Sequence, residues 1–181
     1  VSHAGGGLAF GPDGMLYVST GDGTSYNYDD PRTASVQQLD SLSGKILRVD
    51  PATGDGLTDN PFYEAGMDLD SNQAKVYQLG LRNPFSIAFS PDNELYIANT
   101  GWVSWDELES GPAGANFGWP YFEGGDDGEL FLTPEYSLHP GAADFYANPS
   151  PGILTASLRA WSHDPGIVGD PYDPTNPDLD T

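Results

Sequence analysis

His3 and Asp22 are the first residues of the chain whose types suit shared proton chemistry. An imidazole held by a carboxylate works as a general base, because the carboxylate fixes its orientation and one ring nitrogen stays free. Asp22 lies in Thr20-Gly21-Asp22-Gly23, just after the strand that begins at Met15. His3 precedes the strand that should pair with it, so the two residues are expected at one end of a hairpin. A plain Asp-Gly turn accounts for Asp22 equally well. Arg82, in Gly80-Leu81-Arg82-Asn83-Pro84, is one of 4 Arg in an acidic chain. It suits bidentate binding of a carboxylate or phosphate, or pairing with a nearby Asp. Asp68-Leu69-Asp70-Ser71-Asn72 alternates oxygen ligands, but Gln73 stands where a calcium-binding EF-hand loop needs Gly, and Leu79 where it needs Glu. That motif is excluded, leaving a solvated turn or a weaker calcium loop. Trp102, Trp105, Phe117, Trp119, Tyr121 and Phe122 either stack on sugar rings or plug the space between sheets.

The elements that must position these residues are announced by an internal repeat. Leu8-Ala9-Phe10-Gly11-Pro12-Asp13-Gly14-Met15-Leu16-Tyr17-Val18 returns as Ile87-Ala88-Phe89-Ser90-Pro91-Asp92-Asn93-Glu94-Leu95-Tyr96-Ile97, at a constant offset of 79. Each copy reads as strand, tight turn, strand: Pro presets φ at the first turn position, and Gly or Asn accepts φ > 0 later. Recurring strand-turn-strand units mark a β-propeller, in which one blade takes about 40–50 residues, so the offset holds one blade with a long insertion or nearly two blades. Leu8/Phe10 and Ile87/Phe89 alternate and are expected between packed sheets. Lys45–Val49 and Val76–Leu79 are further strands. Ala34–Ser41 suits two helical turns and Trp105–Glu109 one. The expectation is one β domain over 1–168, followed by an Asp/Pro-rich tail or linker over 169–181.

Composition narrows the partners. With 6 Lys+Arg against 27 Asp+Glu, the formal net charge is -21, which disfavours nucleic acid and anionic membranes. The 23 Gly and 16 Pro make long helices improbable, while 38% hydrophobic residues still suffice for a core. No apolar run reaches the roughly 20 residues of a membrane span. Cysteine is absent, which removes disulfides and thiolate chemistry. The opening Val1-Ser2-His3-Ala4-Gly5 carries no leader pattern and reads as the middle of a longer protein.

His3, Gly6-Gly7-Leu8-Ala9-Phe10-Gly11-Pro12-Asp13-Gly14-Met15-Leu16-Tyr17 and Gly21-Asp22 resemble the soluble pyrroloquinoline quinone (PQQ)-dependent glucose/sorbosone dehydrogenases, also called aldose sugar dehydrogenases. Leu42-Ser43-Gly44-Lys45-Ile46-Leu47-Arg48-Val49, Asp59-Asn60-Pro61-Phe62, Gly80-Leu81-Arg82-Asn83-Pro84 and Asn116-Phe117-Gly118-Trp119-Pro120 follow in the family's order. Gly101 with Trp105-Asp106-Glu107 fits a further motif, so the resemblance is clear over 3–123 and faint beyond. It implies an all-β fold, a six-bladed β-propeller in the family and here a partial propeller of two to three blades. It implies His3 as the base that takes the proton from the sugar C1 hydroxyl while hydride passes to the quinone, with Asp22 orienting it. Arg82 and Asn83 fall on quinone-contacting positions. Gly101 and Trp102 fall on two backbone carbonyls that ligate the quinone-bound calcium, Trp102 where many members carry Pro. The implied partners are an aldose sugar, an external electron acceptor and the rest of the propeller, and the implied location is periplasmic or extracellular. Family members are roughly twice this length, and their later Lys and Arg residues have no counterpart here. The rival reading is a non-catalytic calcium- or glycan-binding propeller module of a large secreted or surface protein.

Overall fold

The turns of the repeat set the architecture. In the computed structural model, which describes residues 2–25, 28–102, 104–124 and 129–163, the Pro12-Asp13-Gly14 turn joins β1 (Leu8–Phe10) to β2 (Leu16–Thr20). The Pro91-Asp92-Asn93 turn joins β5 (Pro84–Phe89) to β6 (Leu95–Asn99). Gly14 and Asn93 take φ of 78° and 68°, the left-handed conformation that each turn requires. The registers match across the repeat: Leu8 faces Val18 and Phe10 faces Leu16, while Ile87 faces Ile97 and Phe89 faces Leu95.

Each hairpin extends into a larger sheet, mixed in the first case and antiparallel in the second. β3 (Lys45–Val49) and β4 (Val76–Leu79) follow β2, and β4 then pairs in parallel with β8 (Ala115–Asn116), which pairs with β9 (Ile153–Leu154). In the second sheet β7 (Trp105–Glu109) joins β6, and β10 (Arg159–Ser162) joins β7. The described residues thus form a 6-stranded and a 4-stranded sheet and no closed ring. Helix is confined to short pieces: α1 (Asn72–Lys75), α2 (Ala142–Ala147) and 3₁₀ segments at Pro31–Gln37 and Glu135–Leu138. No helix among the described residues is long and apolar enough to cross a membrane. The regular secondary structure is mostly strand, as expected, while the segment 169–181 lies outside the described residues.

The sheets pack through Tyr17, Leu81, Ile87, Leu95, Ile97 and Phe117, with Ala9 and Phe89 at the margin. Tyr17 meets Phe89 edge to face at 4.9 Å. Here one expectation fails: Leu8 and Phe10 are each 67% exposed. Both sheets contribute to this core, but through opposite faces of the repeated hairpin. The first buries its Ala9/Tyr17 face and the second its Ile87/Phe89 face, so Leu8 and Phe10 point away from the second sheet. Two helical expectations also fail. Trp105–Glu109 is strand β7, because pairing with β6 and β10 overrides the local preference of Glu and Leu. In place of a helix over Ala34–Ser41, the 3₁₀ segment starts at Pro31, capped by Asp30, and ends at Gln37.

Candidate functional site

The loops that flank β1 and β2 bring His3 onto Asp22. Asp22 sits two residues past β2, and its backbone N–H donates to the Arg82 carbonyl at 2.8 Å. His3 takes a φ of 55°, unusual for a side-chain-bearing residue, and its carbonyl accepts from Gly23 N–H at 3.3 Å. Gly21 permits this approach, since a Cβ there would lie 2.0 Å from His3 O. His3 Nδ1 then stands 2.8 Å from Asp22 Oδ1. The Asp22 carboxylate is buried, and it also accepts from Thr24 N–H on Oδ1 and from Trp119 Nε1–H on Oδ2, both at 3.0 Å. A carboxylate on Nδ1 selects the tautomer protonated there and leaves Nε2 as the acceptor.

Arg82 lies directly behind this pair. Its side chain is buried and makes no ion pair among the described residues. Its Nη1 donates to the carbonyl of Gly101 and, at 3.4 Å, to that of Thr100, and its guanidinium carbon sits 5.5 Å from the Trp119 ring centroid. Burial pulls its pKa below the ordinary arginine value, while Asp22 and Glu123 oppose that pull. Asn99 holds the adjoining backbone, its Oδ1 accepting from Arg82 N–H at 3.2 Å and from Asn83 N–H at 3.0 Å.

The bend at Gly101–Trp102 is equally constrained. A Cβ on Gly101 would fall 1.6 Å from the Trp105 carbonyl, and Gly101 N–H donates to Asp106 Oδ1 at 3.0 Å. Trp102 N–H donates to Glu123 Oε1, while Glu123 Oε2 is buried without a hydrogen-bond partner among the described residues. No three His, Asp or Glu side chains among the described residues converge on a metal position. A cation at this bend would therefore draw on backbone carbonyls beside any single carboxylate. The Asp68–Asp70 segment is a turn, with Asp70 paired to Lys75 at 2.6 Å.

Sequence reasoning missed the buried acids beneath the site. Glu107 Oε2 accepts from Asn99 Nδ2 at 3.1 Å, and Glu109 Oε1 faces the Ser157 hydroxyl at 3.4 Å. Burial pushes the Glu109 carboxyl up to about 8 and that of Glu123 up to about 7, and burial with the neighbouring Glu109 raises Glu107 well above its usual range. Their signal was the alternation Trp105/Glu107/Glu109, which puts all three on the inner face of β7. The aromatic cluster serves packing: Trp119 and Tyr121 share a core with Tyr136 and Phe145, and Trp105 stacks on Phe131 at 5.5 Å.

Comparison with known proteins identifies the family of the chain. The profile of the Glucose / Sorbosone dehydrogenase family matches residues 1–164. The HIPL2 protein of Arabidopsis thaliana is 35% identical over 140 residues, which cover 68% of this chain and 19% of the relative. The aldose sugar dehydrogenase YliI of Escherichia coli is 32% identical over 136 residues, 74% of this chain and 33% of the relative. The PQQ-bound aldose sugar dehydrogenase of Streptomyces coelicolor superposes with a TM-score of 0.55 at 36% identity, covering 71% of this chain and 34% of that one. The chain thus spans a third or less of the curated relatives' length, and over nearly all of its own it belongs to the glucose/sorbosone dehydrogenase family.

Proposed function

We propose that the protein takes part in PQQ-dependent oxidation of an aldose at C1, with His3 as the base and Asp22 as its partner. The observation that carries this reading is the part-buried His3–Asp22 contact of 2.8 Å, with Arg82 joined to the same backbone. The two sheets are adjacent blades of a partial propeller within one β domain over 1–168, and 169–181 is its tail.

The residues present fit one edge of an anionic quinone and its calcium. Arg82 is a buried cation with no carboxylate bound to it among the described residues, and Asn83 is half-buried beside it. Gly101 offers a carbonyl oxygen, Trp102 is its neighbour in the bend, and Glu123 Oε2 is a buried acceptor without a donor among the described residues. Hard cations take such oxygens readily. When bound, the quinone supplies the acceptor for the C1 hydride, and an external acceptor then removes both electrons.

The rest falls to the chain. Asp22 holds Nδ1–H, so His3 Nε2 accepts the proton of the C1 hydroxyl as that carbon becomes the carbonyl of a lactone. Asp22 stabilises the resulting imidazolium without taking its proton. Arg82 neutralises a cofactor carboxylate or carbonyl, and Asn83 adds a neutral hydrogen-bonding group. Substrate and acceptor place the activity in a periplasmic or extracellular setting. The test is dye reduction by the protein with PQQ, calcium and a panel of aldoses. Sugar-dependent reduction supports the enzyme. Calcium or glycan binding without any aldose oxidation supports the non-catalytic module, a reading favoured by the net charge of -21.

A further inference from the structure

We infer that Trp119 is a positioning residue of this site, coupling the His3–Asp22 pair to Arg82 through a single indole. The inference rests on the reading of His3 as the base. Asp22 Oδ1 is occupied by His3 and by Thr24 N–H, whereas Oδ2 has one hydrogen-bond partner among the described residues, Trp119 Nε1–H at 3.0 Å. A hydrogen bond to an ionised, buried carboxylate is stronger than a neutral one and costly to leave unmade. Without it only Thr24 N–H restrains the carboxylate from turning, and Oδ1 holds its direction toward Nδ1 less firmly.

Trp119 can fix Asp22 because it is itself held on every side. Its backbone N–H donates to Gly80 O at 3.1 Å, and its carbonyl accepts from Gln37 Nε2 at 2.7 Å. Tyr136 meets the indole edge to face at 5.2 Å, and Trp102 does so at 6.5 Å. The remaining face carries the Arg82 guanidinium at 5.5 Å, an attraction between cation and ring. One rigid side chain thus sets the proton acceptor, the cationic cofactor contact and the Trp102 ring in fixed relation. Its neighbours in sequence belong to the core, which is why it reads as packing until Asp22 is seen 97 residues away.

The test is Trp119→Phe, which keeps an aromatic ring and removes the N–H donor. Ring ¹⁵N spectra of His3, recorded with the imidazole neutral, should show the Nδ1–H tautomer in the wild type and a mixture of tautomers in the variant. In the PQQ- and calcium-loaded protein the kcat should fall about 10- to 100-fold, the scale of a misplaced catalytic group, with sugar KM little changed. A lower melting temperature alone, with unchanged tautomer and kcat, would overturn the inference. Should Trp119→Phe fail to fold, the Asp22→Asn protein replaces it. There the Trp119 indole N–H resonance must move upfield, and an unmoved resonance overturns the inference equally. The tautomer and indole readouts need no turnover, so they stand apart from the dehydrogenase reading itself.

Discussion

The Arg82 guanidinium donates to the carbonyl oxygen of Gly101, the same oxygen that the proposed function assigns to calcium. Two cations cannot hold one carbonyl at close range without repelling each other, so calcium requires Arg82 to turn away. A quinone carboxylate gives Arg82 somewhere to turn. Calcium and PQQ should therefore bind with positive coupling, and by linkage each raises the other's affinity by the same factor. Titration calorimetry of calcium should show at least a roughly tenfold gain in affinity once PQQ is present. Equal affinities would break the link between Arg82, Gly101 and the cofactor.

Glu109 makes a stability prediction of definite sign. Burial raises its carboxyl from 4.5 in the unfolded chain to about 8 in the fold. The folded state binds the extra proton, so this contribution is complete below about 4.5 and is lost as the pH climbs to about 8. At roughly 1.4 kcal/mol per unit, the loss is on the order of 5 kcal/mol for one fully buried carboxyl. Chemical denaturation between pH 5 and 8 should show falling stability in the wild type and a shallower fall in Glu109→Gln, the remaining slope coming from Glu107 and Glu123. Parallel profiles would rule out the buried acid as the source.

Lys45 acts in the opposite direction over a higher range. Its ammonium is buried against the carbonyls of Val36 and Ser43 at 2.6 and 2.7 Å, and burial lowers it from 10.5 to about 7. The folded state holds fewer protons than the unfolded chain in that window, so stability rises as the pH goes from about 7 toward 10.5. Lys45→Met should abolish the rise between pH 8 and 10, whatever the substitution costs in absolute stability. An unchanged slope in the variant would place the rise elsewhere.

The repeat made the hairpins legible, down to register, because turn chemistry is local: Pro12-Asp13-Gly14 and Pro91-Asp92-Asn93 dictate the same pairing wherever they stand. Local chemistry is silent on which face a hairpin buries. Leu8 is 67% exposed and its counterpart Ile87 only 8%, since the two sheets meet through opposite faces of one motif. The same limit applies to the site. His3 and Asp22 were legible as types that suit each other, and the family resemblance gave them roles. Trp119 was hidden among core aromatics, and its bond to Asp22 exists only once β4 and β8 are paired and the segment after β8 folds back. Glu107 and Glu109 were hidden for a different reason: the segment Trp105–Glu109 read as one helical turn, and only pairing with β6 and β10 as a strand turns them inward.

The central claim is that His3 is the base, and one measurement reaches it most directly. Sugar-dependent dye reduction is followed in the PQQ- and calcium-loaded protein, wild type against His3→Gln, with calorimetry confirming that both bind the cofactor alike. The base reading predicts a kcat lower by about 100-fold or more in the variant, the scale of general-base catalysis, at equal cofactor affinity. A His3→Gln protein that oxidises the same sugar at the wild-type rate would contradict it.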